Sequence, residues 1–285
     1  MQYLILADIH ANAPALEAVL ETETDWDEIL FLGDAVDYGP HPTAVIDRLR
    51  GLSGTFLAGN HDRSIAESPR VRPPANRVDF SQWTRDQLAS ADRSFLEGFE
   101  DTQVIHSGGH TIRIHHGNFN GRLASIDIPG RLRPTTDAAA FAAVGGVFSE
   151  PMILYGHSHT QYEIPVNGTR FVNPGSVGRP TRNGIGAQYA LLEDGEITLR
   201  EVSYDAASTI ARMEDLPIDE EHTIWQRCLE RELYQVRRAI GDLPTAADID
   251  RQSRYAAEHY IEEFGSVERG LVAAGLRNEN EPTDG

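Results

Sequence analysis

The sequence contains no lysine: all 25 of its basic residues are arginine, set against 44 acidic residues for a net charge of −19. A surface this acidic excludes tight binding to duplex nucleic acid, which requires a basic footprint. It also fits a very salty cytoplasm, where screening relieves charge repulsion and an acidic surface stays hydrated. A GC-rich genome, the plainer source of arginine in place of lysine, leaves the acidic excess unexplained. The single cysteine, Cys228, excludes an internal disulfide framework and any cysteine-built metal site. No apolar run approaches the roughly 18 residues of a membrane span. Met1 leads straight into strand-like sequence with no basic stretch and signal-like apolar core before it, so a cytoplasmic protein without a membrane partner is expected. Internal repeats and low-complexity tracts are also missing.

What is present is an α/β pattern. Seven apolar runs read as strands: LILAD, EILFLGD, TFLAGNHD, TIRIHHGN, MILYGHSH, RFVNPGSVG and AQYALLEDGEITLREV, the last folded into a hairpin at Asp194 and Gly195. Between the first two, residues 13–23 carry Leu16, Val19 and Leu20 at helical spacing, with Pro14 suited to a first turn. Residues 62–104 interrupt the rhythm, with helical character near Trp83 to Leu88 and again near Phe95. Beyond about residue 203 the strand signal ends. Leu229, Leu233, Val236 and Ile240, then Tyr260, Phe264, Val267 and Leu271, predict two helices in a C-terminal extension over 204–285, closed by a short disordered tail. Residues 1–203 then form the main domain.

The first five strands end in groups that bind metals: Asp8 and His10, Asp34, Asn60 and His61, His115 and His116, His157 and His159. Alternation along the first strand puts Asp8 and His10, two residues apart, on one face. One histidine at a strand end is ordinarily a turn residue. Five such ends in one α/β chain point to a single place, because ligands collect outside the carboxyl ends of the strands. Nitrogen and oxygen donors without thiolate favour Mn, Fe, Co, Ni or Zn in an open site. The donors are too many for one ion and suit two sharing a carboxylate. Two ions about 3.5 to 4 Å apart clamp the attacking and leaving oxygens of a phosphoryl displacement and lower the pKa of a bridging water. Hydrolysis of a phosphate ester by a metal-bridging hydroxide is the chemistry expected.

The blocks DIH, GDAVDYG, GNHD, HHG and GHSH, in this order, resemble the calcineurin-like metallophosphoesterase superfamily. DIHANAPALEAVL and NPGSVGRPTRNG resemble its small prokaryotic phosphodiesterase branch. The resemblance implies a four-layer αββα sandwich, two mixed sheets flanked by helices, and a dinuclear site. It implies Asp8, His10 and His159 on one ion, Asn60, His116 and His157 on the other, Asp34 bridging them, and His61 as proton donor or transition-state stabiliser. Manganese is the first expectation for both ions, with Fe, Ni, Co or Zn as alternatives. His116 rather than His115 is selected because the family's histidine precedes glycine and strand alternation sends its neighbour to the other side.

Other residues carry two readings. Asp37 orients a ligand histidine more readily than it touches metal. Asn12 reaches substrate or caps the helix that follows it. Asn173, Ser176 and Arg179 contact phosphate or form the turn that NPGS favours. Arg122, Arg131 and Arg133 bind an anionic substrate or lie on a solvated loop. Tyr38 and Asp62 stand where the superfamily's protein phosphatases carry arginine and glutamate, which argues against a protein phosphatase and for a diester monoanion. The leading expectation is a phosphodiesterase for a small or nucleotide-like substrate. Alternatives are a phosphomonoesterase, a dinucleoside polyphosphate hydrolase, or a non-catalytic metal-binding scaffold. The C-terminal helices pack on the domain, cap the site or pair two subunits as a homo-oligomer.

Overall fold

Along residues 3–7 every side chain is buried although successive ones point to opposite faces, so the sheet they belong to must be covered on both sides. The computed structural model describes residues 1–67, 80–119, 132–134, 136–180 and 186–216. Within them, β1 (Gln2–Leu6), β2 (Glu28–Phe31), β3 (Gly54–Phe56), β9 (Ala187–Glu193) and β10 (Glu196–Val202) form one mixed sheet, ordered β10-β9-β1-β2-β3. A second mixed sheet holds β4 (Thr102–Ser107), β5 (His110–His115), β6 (Met152–Tyr155), β7 (Gln161–Val166) and β8 (Thr169–Pro174), ordered β4-β5-β6-β8-β7.

Three apolar layers make the four-layer αββα sandwich. Leu4, Leu6, Ile29 and Phe31 pack outward against α1 (Ala13–Thr22) and α2 (Pro42–Arg50), through Leu16, Val19, Val45 and Leu49. Tyr3, Ile5, Leu30 and Leu32 face inward and meet Ile112, Ile114, Leu154 and Val172 of the second sheet. On that sheet's far side, Ile153, Tyr155 and Phe171 pack on Phe141 and Val144 of the helix over Ala138–Phe148. Leu154 is fully buried between the sheets. Leu154→Ala is expected to lower unfolding stability by about 2–5 kcal/mol in chemical denaturation, because the rigid sheets on both sides cannot close over the cavity.

The predicted helix at 13–23 is α1, with Asn12 as its cap and Pro14 in its first turn. The hairpin at Asp194 and Gly195 turns through left-handed backbone at both residues, with φ of 49° and 85°, the geometry that matches strand twist. The helical stretches near Trp83 and Phe95 are α4 (Phe80–Gln87) and α5 (Ser90–Glu97), following α3 (Asn60–Ala66). Two strands were not anticipated. β4 pairs antiparallel with β5 across Gly108 and Gly109, and β7 pairs with β8 across Asn167 and Gly168.

The helix over Ala138–Phe148 is α6, and α7 (Ala206–Glu214) follows β10. The helices expected over 229–240 and 260–271, the tail after them, and any subunit pairing they make lie outside the described residues. Among the described residues no helix is long and apolar enough to cross a membrane.

Candidate metal centre

The loops that leave β1, β2, β3, β5 and β6 converge at the carboxyl ends of these strands. β1 stops at Leu6, so Asp8 and His10 do not share a face by strand alternation, as the sequence suggests. Their loop instead runs through left-handed backbone, with φ of 52° at Asp8 and 46° at His10. The same unusual conformation occurs at Ala11, Asp34, Asp37, Tyr38, His157 and His159. Such strain in residues other than glycine collects where a surrounding structure over-determines the backbone to aim side chains.

Backbone bonds lock these loops together. The N–H groups of Asp8, His10 and Ala11 donate to the carbonyls of Gly33, Asp34 and Ala35. Asp62, fully buried at the third position of α3, accepts from the N–H groups of Asp34, Ala35 and Gly59 at 2.7 to 2.9 Å. Burial and the Asp34 carboxylate push Asp62 up to about 6, against those backbone donors that hold it down. Gly59 is required by contact: a Cβ there would come within 1.9 Å of Asp34 Oδ1.

Each central carboxylate divides its oxygens between two tasks. Asp8 Oδ2 accepts from the His157 N–H at 2.9 Å, and Asp34 Oδ1 from the His61 N–H at 2.9 Å. The other oxygen of each faces imidazole. Asp8 Oδ1 is 3.3 Å from His159 Nε2 and 3.9 Å from His10 Nε2. Asp34 Oδ2 is 3.2 Å from His116 Nε2 and 3.8 Å from His10 Nε2. Asn60 Oδ1 lies 3.1 Å from His116 Nε2.

The far side of each ring fixes what those nitrogens offer. Nδ1 of His10, His116 and His159 faces the backbone carbonyls of Val36, Leu32 and Arg179, at 3.3, 2.8 and 2.8 Å. A carbonyl only accepts, so the ring hydrogen belongs on Nδ1 and the neutral ring presents an Nε2 lone pair. His10 and His159 bring those lone pairs within 3.1 Å of each other, and buried Asp8 Oδ1 has no hydrogen-bond donor. Lone pairs and carboxylate oxygens aimed at one another are a donor set for cations. Two groups meet the distance requirement for holding an ion, Asp8 with His10 and His159, and Asp34 with His116 and His157. The same charges act on proton affinity. Burial lowers His10 well below the usual histidine range, reinforced by His159. Burial opposes protonation of His116 as well, but the Asp34 carboxylate outweighs it and pushes His116 up to about 9.

His61 stands beside this cluster, its ring 5.2 Å from that of His10. Its Nδ1 lies 2.8 Å from Asp37 Oδ2, which also accepts from the Ser81 hydroxyl at 2.8 Å. Asp37 therefore orients His61 and not one of the clustered histidines, a distinction the sequence did not draw. Burial opposes a charge on His61, yet Asp34 and then Asp37 raise its pKa overall.

The remaining residues fall around this centre. His115 turns away from the cluster and stacks on Phe119 at 4.8 Å. Asn12 accepts from the Ala15 N–H and the Thr209 hydroxyl and donates to the Gly178 carbonyl and Tyr204, so its polar atoms are engaged in capping and not turned to substrate. Asn173 donates to the Gly156 carbonyl and the Ser158 hydroxyl, supporting the loop that carries His157 and His159. Ser176 donates to the Asp8 carbonyl and accepts from the Arg179 N–H. Arg133 lies beyond the fourth strand block with its N–H on Thr136, and Arg122 and Arg131 lie outside the described residues. Ser81 and the role of Asp62 were not found from sequence; an aspartate at the third helical position was the available signal for Asp62.

Residues 1–195 match the model of the calcineurin-like phosphoesterase superfamily domain. The chain belongs to this superfamily. Membership in the calcineurin-like phosphoesterases makes it a metal-binding hydrolase by family. An uncharacterized protein of Methanocaldococcus jannaschii is 27% identical over 224 residues, which cover 70% of this chain and 87% of that protein. A symmetrical bis(5'-nucleosyl)-tetraphosphatase of Acidovorax ebreus is 28% identical over 182 residues, 59% of this chain and 61% of that enzyme. Among solved calcineurin-like folds, a metallophosphoesterase from Sphaerobacter thermophilus aligns with a TM-score of 0.63 at 26% identity, covering 80% of this chain and 99% of that one.

Proposed function

We propose that the chain is a dinuclear metal-dependent phosphodiesterase acting on a small or nucleotide-like phosphodiester. The observation that carries this reading is Asp34, whose Oδ2 lies between His116 of one donor group and His10 of the other. Asp8, His10 and His159 would hold one divalent ion, Asn60, His116 and His157 the second, and Asp34 both. Bound there, two such ions polarise phosphoryl oxygens and lower the pKa of water towards neutral. Manganese leads the nitrogen and oxygen set, with Fe, Ni, Co or Zn as the other fits.

The chain's own residues supply the rest. The Asp37 carboxylate holds His61 by Nδ1, so Nε2 is the nitrogen that passes a proton to the leaving oxygen. Tyr38 stands after Asp37, where the superfamily's protein phosphatases carry arginine, which argues against a phosphoprotein substrate. The lysine-free acidic composition supports a small substrate in a salty cytoplasm over duplex nucleic acid. The Acidovorax relative's name supports a second reading, a dinucleoside tetraphosphate substrate.

Turnover of bis-p-nitrophenyl phosphate and p-nitrophenyl phosphate with Mn²⁺ in high salt tests the proposal. Preference for the diester is expected. Preference for the monoester would contradict the diester assignment, and hydrolysis of diadenosine tetraphosphate alone would favour the second reading. Failure on all three with both ions bound would contradict catalysis.

A further inference from the structure

Tyr38 is an anomaly: a bulky aromatic residue held at φ 69°, where side chains other than glycine are rarely found. Its half-buried ring packs against the ring of His61 at 4.2 Å and that of His10 at 5.1 Å. Phe80 supports it from α4, at 6.4 Å. Backbone strain of this kind persists where the surrounding structure over-determines it, and it clusters at active sites and ligand clamps.

Over this ring sits the guanidinium of Arg179, its central carbon 5.7 Å from the Tyr38 centroid. The backbone of Arg179 is tied to the other end of the centre. Its carbonyl meets His159 Nδ1 at 2.8 Å, and its N–H donates to Ser176 Oγ at 2.7 Å, the hydroxyl that in turn donates to the Asp8 carbonyl. The side chain thus runs along the rim of the cluster from His159 to the ring beside His61. It is half-buried and close enough to depress His10 further by its charge.

A planar cation fixed by an aromatic face is pre-organised for the paired oxygens of a phosphoryl group. We propose that Arg179, held by Tyr38, is a specificity-determining residue that grips a non-reacting phosphoryl oxygen of the substrate. This rests on the phosphoesterase reading above and names its anion-binding residue. It also accounts for the tyrosine after Asp37: the ring presents a cation carried by a distant loop instead of supplying one itself.

The test is calorimetric titration of inorganic phosphate into the Mn²⁺-loaded full chain, wild type against Arg179→Met, Arg179→Lys, Tyr38→Phe and Tyr38→Leu. Losing a charged hydrogen bond predicts phosphate binding about 10- to 100-fold weaker in Arg179→Met. Arg179→Lys recovers part of that loss, Tyr38→Phe stays within about 2-fold, and Tyr38→Leu weakens binding several-fold because the cation loses its platform. With bis-p-nitrophenyl phosphate, Arg179→Met raises KM more than it lowers kcat, the signature of lost ground-state grip. Should Arg179→Met fail to fold by circular dichroism, the lysine and tyrosine variants carry the test. Equal phosphate affinity in wild type and the folded arginine variants would overturn the proposal, as would a wild type that binds no phosphate. Phosphate binding that depends on Arg179 in a protein that hydrolyses no ester would instead overturn the catalytic reading and leave this one standing.

Discussion

Asp34→Asn is expected to remove phosphodiester hydrolysis by more than the about 10- to 100-fold that loss of a supporting residue around a metal site produces. Asparagine keeps an oxygen for the His61 N–H, so the loop geometry has its acceptor and only the shared charge is lost. The substitution also releases His116, whose pKa is held at about 9 by Asp34 against the pull of burial. Without that carboxylate, burial acts on His116 with less opposition and favours the neutral ring, so the variant should fold. The measurement is kcat/KM with Mn²⁺, alongside a circular dichroism spectrum of the variant. Activity within about 3-fold of wild type would mean that Asp34 is not shared by two ions.

His61→Ala is the second large effect, and its signature differs. His61 stands outside both donor groups, so the variant should retain its metal content while kcat falls by about 10²- to 10⁴-fold, the range for general acid catalysis. KM should change little. Because the role is to protonate the leaving oxygen, the loss should be larger for a phenyl ester than for a p-nitrophenyl ester, whose leaving group needs less help. An equal loss on both esters would assign His61 to charge stabilisation, and an accompanying loss of bound metal would assign it to the ligand set.

Much of this architecture is legible in the sequence. The strands that carry the site run into metal-binding polar residues after apolar runs, and the physics that buries a strand also marks where it stops. β4 and β7 were not legible for separate reasons. β4 begins inside the 62–104 interruption, although Gly108 and Gly109 mark the hairpin that pairs it with β5. β7 carries Pro165, which suits an edge strand, and the alternation of Tyr162 and Ile164 was its weak signal.

Within the site, the residue types announced their chemistry, but the route by which they meet did not. Strand alternation is the wrong reason for Asp8 and His10 to point together, because both lie in a left-handed loop beyond β1. Positive φ at aspartate and histidine has no marker comparable to glycine. Asn12 was equally open from sequence, and the structure engages it with α1, Gly178, Tyr204 and Thr209. The Arg179 and Tyr38 pairing joins two loops far apart in sequence, so only the fold could reveal it.

The most direct test of the account is the number of Mn²⁺ ions bound by the wild-type chain, measured by equilibrium dialysis in high salt followed by elemental analysis. Two ions per folded chain, falling to one or fewer in Asp34→Asn, is the result predicted. One ion or none in the folded wild type at saturating Mn²⁺, with Fe, Co, Ni and Zn giving no second ion either, would contradict the dinuclear centre.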